Sequence, residues 1–245
     1  TALTTLFQEG SAKARLPRAF AQPPEAVLIN TAGGLAGGDR FSTEIELAER
    51  ARLVVTTQAC ERVYRSLGSC AEMHAKLTLG SGARIDWLPQ ETILFDGGML
   101  KRRLDVDLAE GAELLAVEAL LFGRTAMGEV VNSGSFHDRW RIRRGGTMVF
   151  ADDLRFEGAI NAQLQRPAVL AGQVAMASAI YVADDAERLL EPVREIIGEA
   201  GGASAWNGKL LVRIAAADGL ELRSKLIPAL GVLMDGRPLP KVWQL

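Results

Sequence analysis

One short pattern returns three times along the chain: an aliphatic residue, three turn formers, an alanine, any residue and a second aliphatic. It occupies residues 47–53, 79–85 and 108–114, so that Ala51, Ala83 and Ala112 recur about every thirty residues. A degenerate fourth copy runs from Ile142 through Gly146 to Met148. A unit this short cannot bury its own apolar face, so repeats of this kind stack and share one. The flanking sequence consists of short alternating or apolar runs broken by glycine and charged turn residues, the signature of strands. Two architectures satisfy the pattern, a stack of β coils closed by capping elements or the hairpins of an antiparallel sandwich. Both are mainly β.

Two segments depart from the strand pattern. At 184–200, Leu189, Leu190, Val193, Ile196 and Ile197 fall on one helical face. Asp184 or Asp185 is the expected N-cap, Gly201 and Gly202 follow the end, and Pro192 is expected to kink the middle. At 224–234, Leu226, Ile227, Leu230 and Leu233 share a face; Ser224 is the expected cap, with Pro228 near the first turn, where a missing N–H costs least. The expected organisation is one domain over 1–245, a β body to about residue 180 followed by a helix-containing part at about 181–245.

Composition narrows the function. With 245 residues, 48% of them hydrophobic, the chain can bury a sizeable core. Lys and Arg number 28 against 30 Asp and Glu, which gives no electrostatic reason to expect nucleic acid or an anionic membrane as partner. Cys60 and Cys70 are too few and too far apart for a disulfide framework or a CxxC pair, and are expected as reduced thiols in a cytoplasmic protein. No stretch reaches the roughly 18 apolar residues of a membrane span, and residues 1–18 lack the order of a signal peptide.

The run NTAGGLAGGDR at 30–40 allows close backbone approach at two glycine pairs. It lacks both the GK[ST] ending and the G-x-G-x-x-G spacing of phosphate loops, so a sharp turn explains the glycines better than a nucleotide does. Asp39 is left over by that account. In VVTTQACERVYRS at 54–66, a β-branched strand runs straight into Glu61, Arg62 and Arg65. Gln90, Glu91 and Glu118 stand at roughly corresponding places in the next two repeats, so carboxylates recur along the stack. Buried carboxylates need compensation, either from arginines such as Arg62, Arg65, Arg103 and Arg124 or from water and transient cations. The two histidines, His74 and His137, have no ligand three to five residues away, which disfavours a closed metal site. No nucleophile elbow, HExxH or Cys–His arrangement is present; Ser66 or Ser135 beside His137 is the remaining hydrolytic combination, and no enzyme is expected.

Taken in order, AKARLPR at 12–18, NTAGGLAGGDR, TTQACERVYRS, WLPQETILFDG at 87–97, FGRTAMGE at 122–129 and RPLPKVW at 237–243 resemble the signatures of the UreD/UreH family of urease accessory proteins, over nearly the whole chain. The resemblance implies a non-catalytic protein with a β-helix-like body and about two α-helices in the C-terminal third. It implies UreF as partner, the GTPase UreG through UreF, apo-urease as the client, and nickel in transit rather than a bound cofactor. On that reading Asp39, Glu61, Glu91, Glu118 and Glu129 are the candidate lining of a nickel route, since carboxylates can pass on a dication without trapping it. Thr57, Gln58 and Ser66 would add neutral oxygens, while Arg62, Arg65 and Arg124 would hold the wall. The two helices, with Leu239, Val242 and Trp243, are the expected part of the UreF interface. A nucleotide-binding or hydrolytic enzyme using the glycine-rich loop is the alternative.

Overall fold

Ahead of the repeats, β1 (Ala12–Arg15) and β2 (Glu25–Asn30) pair antiparallel. The chain then winds. A first coil holds β3 (Arg40–Leu47), β4 (Arg52–Thr57) and β5 (Glu61–Val63), a second β6 (Ala71–Leu79), β7 (Arg84–Leu88) and β8 (Thr92–Leu94), and a third β9 (Met99–Leu108) and β10 (Glu113–Phe122). Each sequence repeat is a corner between two strands, and the corners lie in parallel register. Leu47 pairs with Leu79 and Leu79 with Leu108 before the corner; Leu53 pairs with Ile85 and Ile85 with Leu114 after it. Arg84 N donates to Ala51 O at 2.9 Å and Glu113 N to Ala83 O at 2.8 Å, so the corners themselves are bonded. This is the stacked-coil architecture, seen in a computed structural model that describes residues 2–17 and 23–244. Arg18, which closes the first family motif, lies outside the described residues.

The fourth copy of the repeat behaves differently. Strand β11 (Gly134–Arg144) stacks parallel on β9, but Gly145 and Gly146 then adopt φ of +53° and +80°, and β12 (Thr147–Gly158) returns antiparallel in the same sheet. Two consecutive residues in the left-handed region make a hairpin turn whose twist suits the flanking strands. The pattern that reads as a corner is therefore a hairpin that ends the winding.

Two sheets result. One has the order β3-β6-β9-β11-β12; the other runs β1-β2-β4-β7-β10 and is continued antiparallel by β13 (Ala175–Val182), with β14 (Gly201–Ala205) and β15 (Lys209–Ala216) in the order β13-β15-β14. A five-residue helix, α1 (Ile160–Leu164), buries Ile160 and Leu164 against the far end of the stack; so short a segment shows no period in sequence.

The helix expected over 184–200 is broken into a 3₁₀ turn at Ala186–Leu189, α2 (Leu190–Ile197) and a second 3₁₀ turn at Gly198–Ala200. Pro192 stands in the first turn of α2, where it interrupts nothing. The last helix, α3 (Gly219–Leu233), starts upstream of Ser224, at a capping box: Asp218 Oδ1 accepts from Glu221 N and Glu221 Oε2 from Ala217 N, both at 2.8 Å. Ser224 Oγ instead donates to Glu221 O, and Pro228 lies inside the helix. Both helices cover the outer face of β10, β13 and β15, packing Val193, Ile197, Leu226 and Leu230 on Leu115, Val117 and Val212.

Candidate functional site

Between the two sheets lie two apolar zones, one near the corners around Leu77, Ile85, Leu104 and Leu114, the other at the opposite end around Leu94, Leu100, Phe122 and Phe136. Strand alternation aims Leu100, Leu104 and Val106 of β9 inward, and the same alternation aims Arg102 inward between them. From β10 and β11 come Glu118 and Asp138, equally buried. The result is a polar layer between two greasy ones.

Its bonds are complete. Arg102 grips Asp138 with two nitrogens, at 3.1 and 2.7 Å, meets Glu118 Oε2 at 2.5 Å and donates to Thr92 Oγ1 at 3.1 Å. Two indoles close the layer from the sides, Trp87 Nε1 donating to Glu118 and Trp140 Nε1 to Asp138, each at 3.1 Å. One guanidinium thus faces two carboxylates. Desolvation, opposed by Arg102 and reinforced by Asp138, pushes the Glu118 carboxyl up to about 7. The layer carries a surplus negative charge that a proton or a cation can neutralise.

The other acidic residues are spread by strand register. Glu61 pairs with Thr92, and Thr92 with Leu120, so these three share a face, and Glu118, two residues from Leu120, shares it too. Glu91 is one residue out of step with Thr92, which turns it to the opposite face. There Arg223 of α3 meets it, Nη1 lying 2.9 Å from Oε1, and Cys60 Sγ donates to Oε2 at 3.3 Å. Burial, with Glu91 beside it, pushes the Cys60 thiol up to about 11, which keeps it protonated. Glu61 Oε1 and Oε2 are each 3.2 Å from Asn30 Nδ2, and its carboxyl is raised by burial.

Asp39 and Glu129 lie outside the stack. Asp39 is exposed and its Oδ2 accepts from Ala36 N at 2.8 Å, closing the turn of the glycine-rich loop. Glu129 Oε2 meets Arg124 Nε at 2.7 Å, which with further hydrogen bonds holds its carboxyl below the usual range. The glycine-rich loop is packed rather than open: a Cβ on Gly34 would stand 2.4 Å from the Tyr64 ring, and one on Gly37 would stand 2.3 Å from Ser66 Oγ. Most of its N–H groups are spent internally, among them Gly33 on Asn30 O, Leu35 on Arg62 O, Gly38 on Cys70 O and Asp39 on Ala36 O. N–H groups engaged in this way are not offered to a phosphate. Among the described residues no group of three His, Cys, Asp or Glu side chains is placed to hold a metal ion.

A sequence profile of UreD urease accessory proteins matches residues 1–244. The chain belongs to the UreD family. The urease accessory protein UreD of Rhizobium johnstonii is 54% identical over 100% of this chain and 90% of its own length. UreD of Agrobacterium fabrum is 52% identical over 99% and 86%, and UreD 1 of Brucella abortus 49% identical over 99% and 88%.

Three of the segments that carry the UreD resemblance meet at the surface. Tyr64 and Arg65, Phe95 and Asp96, and Arg124, Glu129 and Val130 line one open pocket of about 650 Å³. Arg65 pairs with Asp96 at 2.6 Å, and the Arg124 guanidinium lies 4.4 Å from the centre of the Phe95 ring. Trp243, expected as an interface anchor, is consumed inside this UreD chain: it is buried on the helical layer and its Nε1 donates to Leu88 O at 3.1 Å. His74 and His137 lie on the outer face of the other sheet, bonded to Asp105 and Asp153, and Ser66 Oγ donates to Ser69 O; among the described residues neither Ser66 nor Ser135 hydrogen-bonds His137. Asp138, Arg102 and Arg223 are the site residues that sequence reasoning missed. The signal for the first two was a charge at an inward position of an otherwise apolar alternation. No helix among the described residues is long and apolar enough to cross a membrane.

Proposed function

We infer that this chain is a non-catalytic scaffold of urease maturation, which docks on apo-urease, binds the accessory protein UreF and, through it, the GTPase UreG, while Ni²⁺ passes as cargo to the urease active site. The family match over residues 1–244 carries the reading. The polar layer supports the transit part, because its two carboxylates outnumber their one guanidinium and a borderline dication accepts carboxylate oxygens. Glu61 and Glu118 are the inner stations of this route, with Asp39 and Glu129 at its outer ends and Glu91 behind the wall, held by Arg223. Weak serial sites suit transit better than one tight site.

The test is co-expression of apo-urease, UreF and UreG with and without this chain, reading nickel content and urease activity. Nickel-loaded, active urease only in its presence is the expected result. Equal activation without it refutes the scaffold. Wild-type activation by a Glu61→Ala, Glu118→Gln double variant refutes the route alone.

A further inference from the structure

The two sheets treat their outer faces differently. Helices α2 and α3 cover one, whereas the outer face of β3-β6-β9-β11-β12 is a flat ladder of charged side chains with no helix packed on it among the described residues. Register fixes the rungs. Arg40, Glu72, Lys101, His137 and Arg155 stand in one row, and Ser42, His74, Arg103, Arg139 and Asp153 in the next.

Most carboxylates on this face are already engaged, Glu44 by Lys76, Asp105 by His74 and Asp153 by His137, each at 2.8 Å. Two cations of the middle strand, β9, are not. Lys101 and Arg103 are exposed and make no ion pair among the described residues. Arg139 keeps a 3.7 Å contact with Asp105 while its Nε, though buried, has no hydrogen-bond partner. Arg103 also stands directly beside Arg139 on the neighbouring strand, with His74 on its other side. In-register like charges on strands about 4.8 Å apart repel, and Asp105 is the one carboxylate that meets both Arg139 and His74 among the described residues. In a chain of net charge −2, this is a local concentration of positive charge, two of whose three cations make no ion pair among the described residues.

We propose that this sheet face is an electrostatic docking surface for an acidic patch on a folded protein partner, with Lys101, Arg103 and Arg139 as its centre. The charge pattern favours a protein over nucleic acid, because Glu72, Asp105 and Asp153 are interspersed among the cations and would repel a continuous phosphate backbone. Complementary charge of this kind acts mainly on association rate and is screened by salt.

The proposal rests on the scaffold reading, and its test separates the two. Association of the full chain with immobilised apo-urease and with immobilised UreF is followed at about 50 and about 500 mM salt, with duplex DNA as a third surface. The expected result is that Lys101→Glu combined with Arg103→Glu slows association with one of the two proteins by on the order of tenfold at low salt, a difference that disappears at high salt. A Lys101→Gln, Arg103→Gln variant with an unchanged melting curve gives an intermediate rate and excludes misfolding as the cause. Equal rates for wild type and the reversal at both salts overturn the docking surface and leave the scaffold reading standing. Failure of the wild-type chain to bind either protein removes both. Tight DNA binding abolished by the reversal assigns the face to nucleic acid and overturns the proposal.

Discussion

Replacing Glu118 by Gln tests the charge surplus of the polar layer. Glutamine keeps the shape, and its carbonyl can still accept from Trp87 Nε1, but it leaves Arg102 paired one-to-one with Asp138. In the wild type the Glu118 carboxyl is raised from 4.5 to about 7, so between those values the native chain holds a proton that the unfolded chain has released. Stability from this group is full below the lower value and declines as pH rises to the upper one. At about 1.4 kcal/mol per unit, the decline is about 3 kcal/mol across the window. Urea unfolding followed by tryptophan fluorescence at about pH 4.5 and pH 8 measures it, and subtracting the variant removes the contribution of other groups. Relative to wild type, Glu118→Gln is expected to gain about 3 kcal/mol on going from the lower to the higher pH. An unchanged difference at the two pH values refutes the reasoning: Glu118 would then be ionised throughout, with Arg102 offsetting its burial completely.

Arg223→Ala leaves Glu91, which is only 2% exposed, without its cation, and is expected to cost about 3 kcal/mol by loss of the buried pair, lowering the melting temperature and loosening α3. Gly34→Ala forces a Cβ into the Tyr64 ring at a φ of +155°, so about 2 kcal/mol of destabilisation is expected in a thermal melt; a neutral result would show that the loop is not packed on the first coil. Glu61→Ala removes a carboxylate that, among the described residues, is bonded to Asn30 and its neighbour's backbone, and should lower urease activation while co-purification of the accessory complex is retained. Loss of the complex would make Glu61 structural.

The repeat was the most legible feature because each corner obeys the same local demand, an aliphatic on either side and a small residue inside, and Ala83 and Ala112 are fully buried there. Its fourth copy failed because one pair of glycines serves both a corner and a hairpin, and only the strand that follows decides which. The helix limits were misread where two signals competed: Ser224 resembles a cap, but Asp218 and Glu221 satisfy each other's backbone and start α3 earlier. The acidic residues expected at roughly corresponding places fall on different faces, Glu61 and Glu118 on the inner one and Glu91 on the other. A bend separates Thr57 from Glu61 in the first coil and Leu88 from Thr92 in the second, and no residue count reveals which side of a strand resumes after a bend.

Those bends explain why the polar residues gather where they do. Regular coils align like with like, which suits leucines and would stack carboxylates directly on carboxylates at strand spacing. By breaking β4 from β5 and β7 from β8, the chain sends Glu91 outward to Arg223 and leaves Glu61 and Glu118 on the inner face. The bends are themselves pinned across coils, Thr57 Oγ1 accepting from Gln90 N at 2.8 Å and Glu61 N donating to Glu91 O at 2.9 Å. Each carboxylate therefore has its own neighbours instead of sharing one repulsive column. A cation entering from the Glu61 side would meet acidic groups of graded burial, from a half-buried carboxylate to one wholly inside the stack, which is the order that stepwise shedding of water requires.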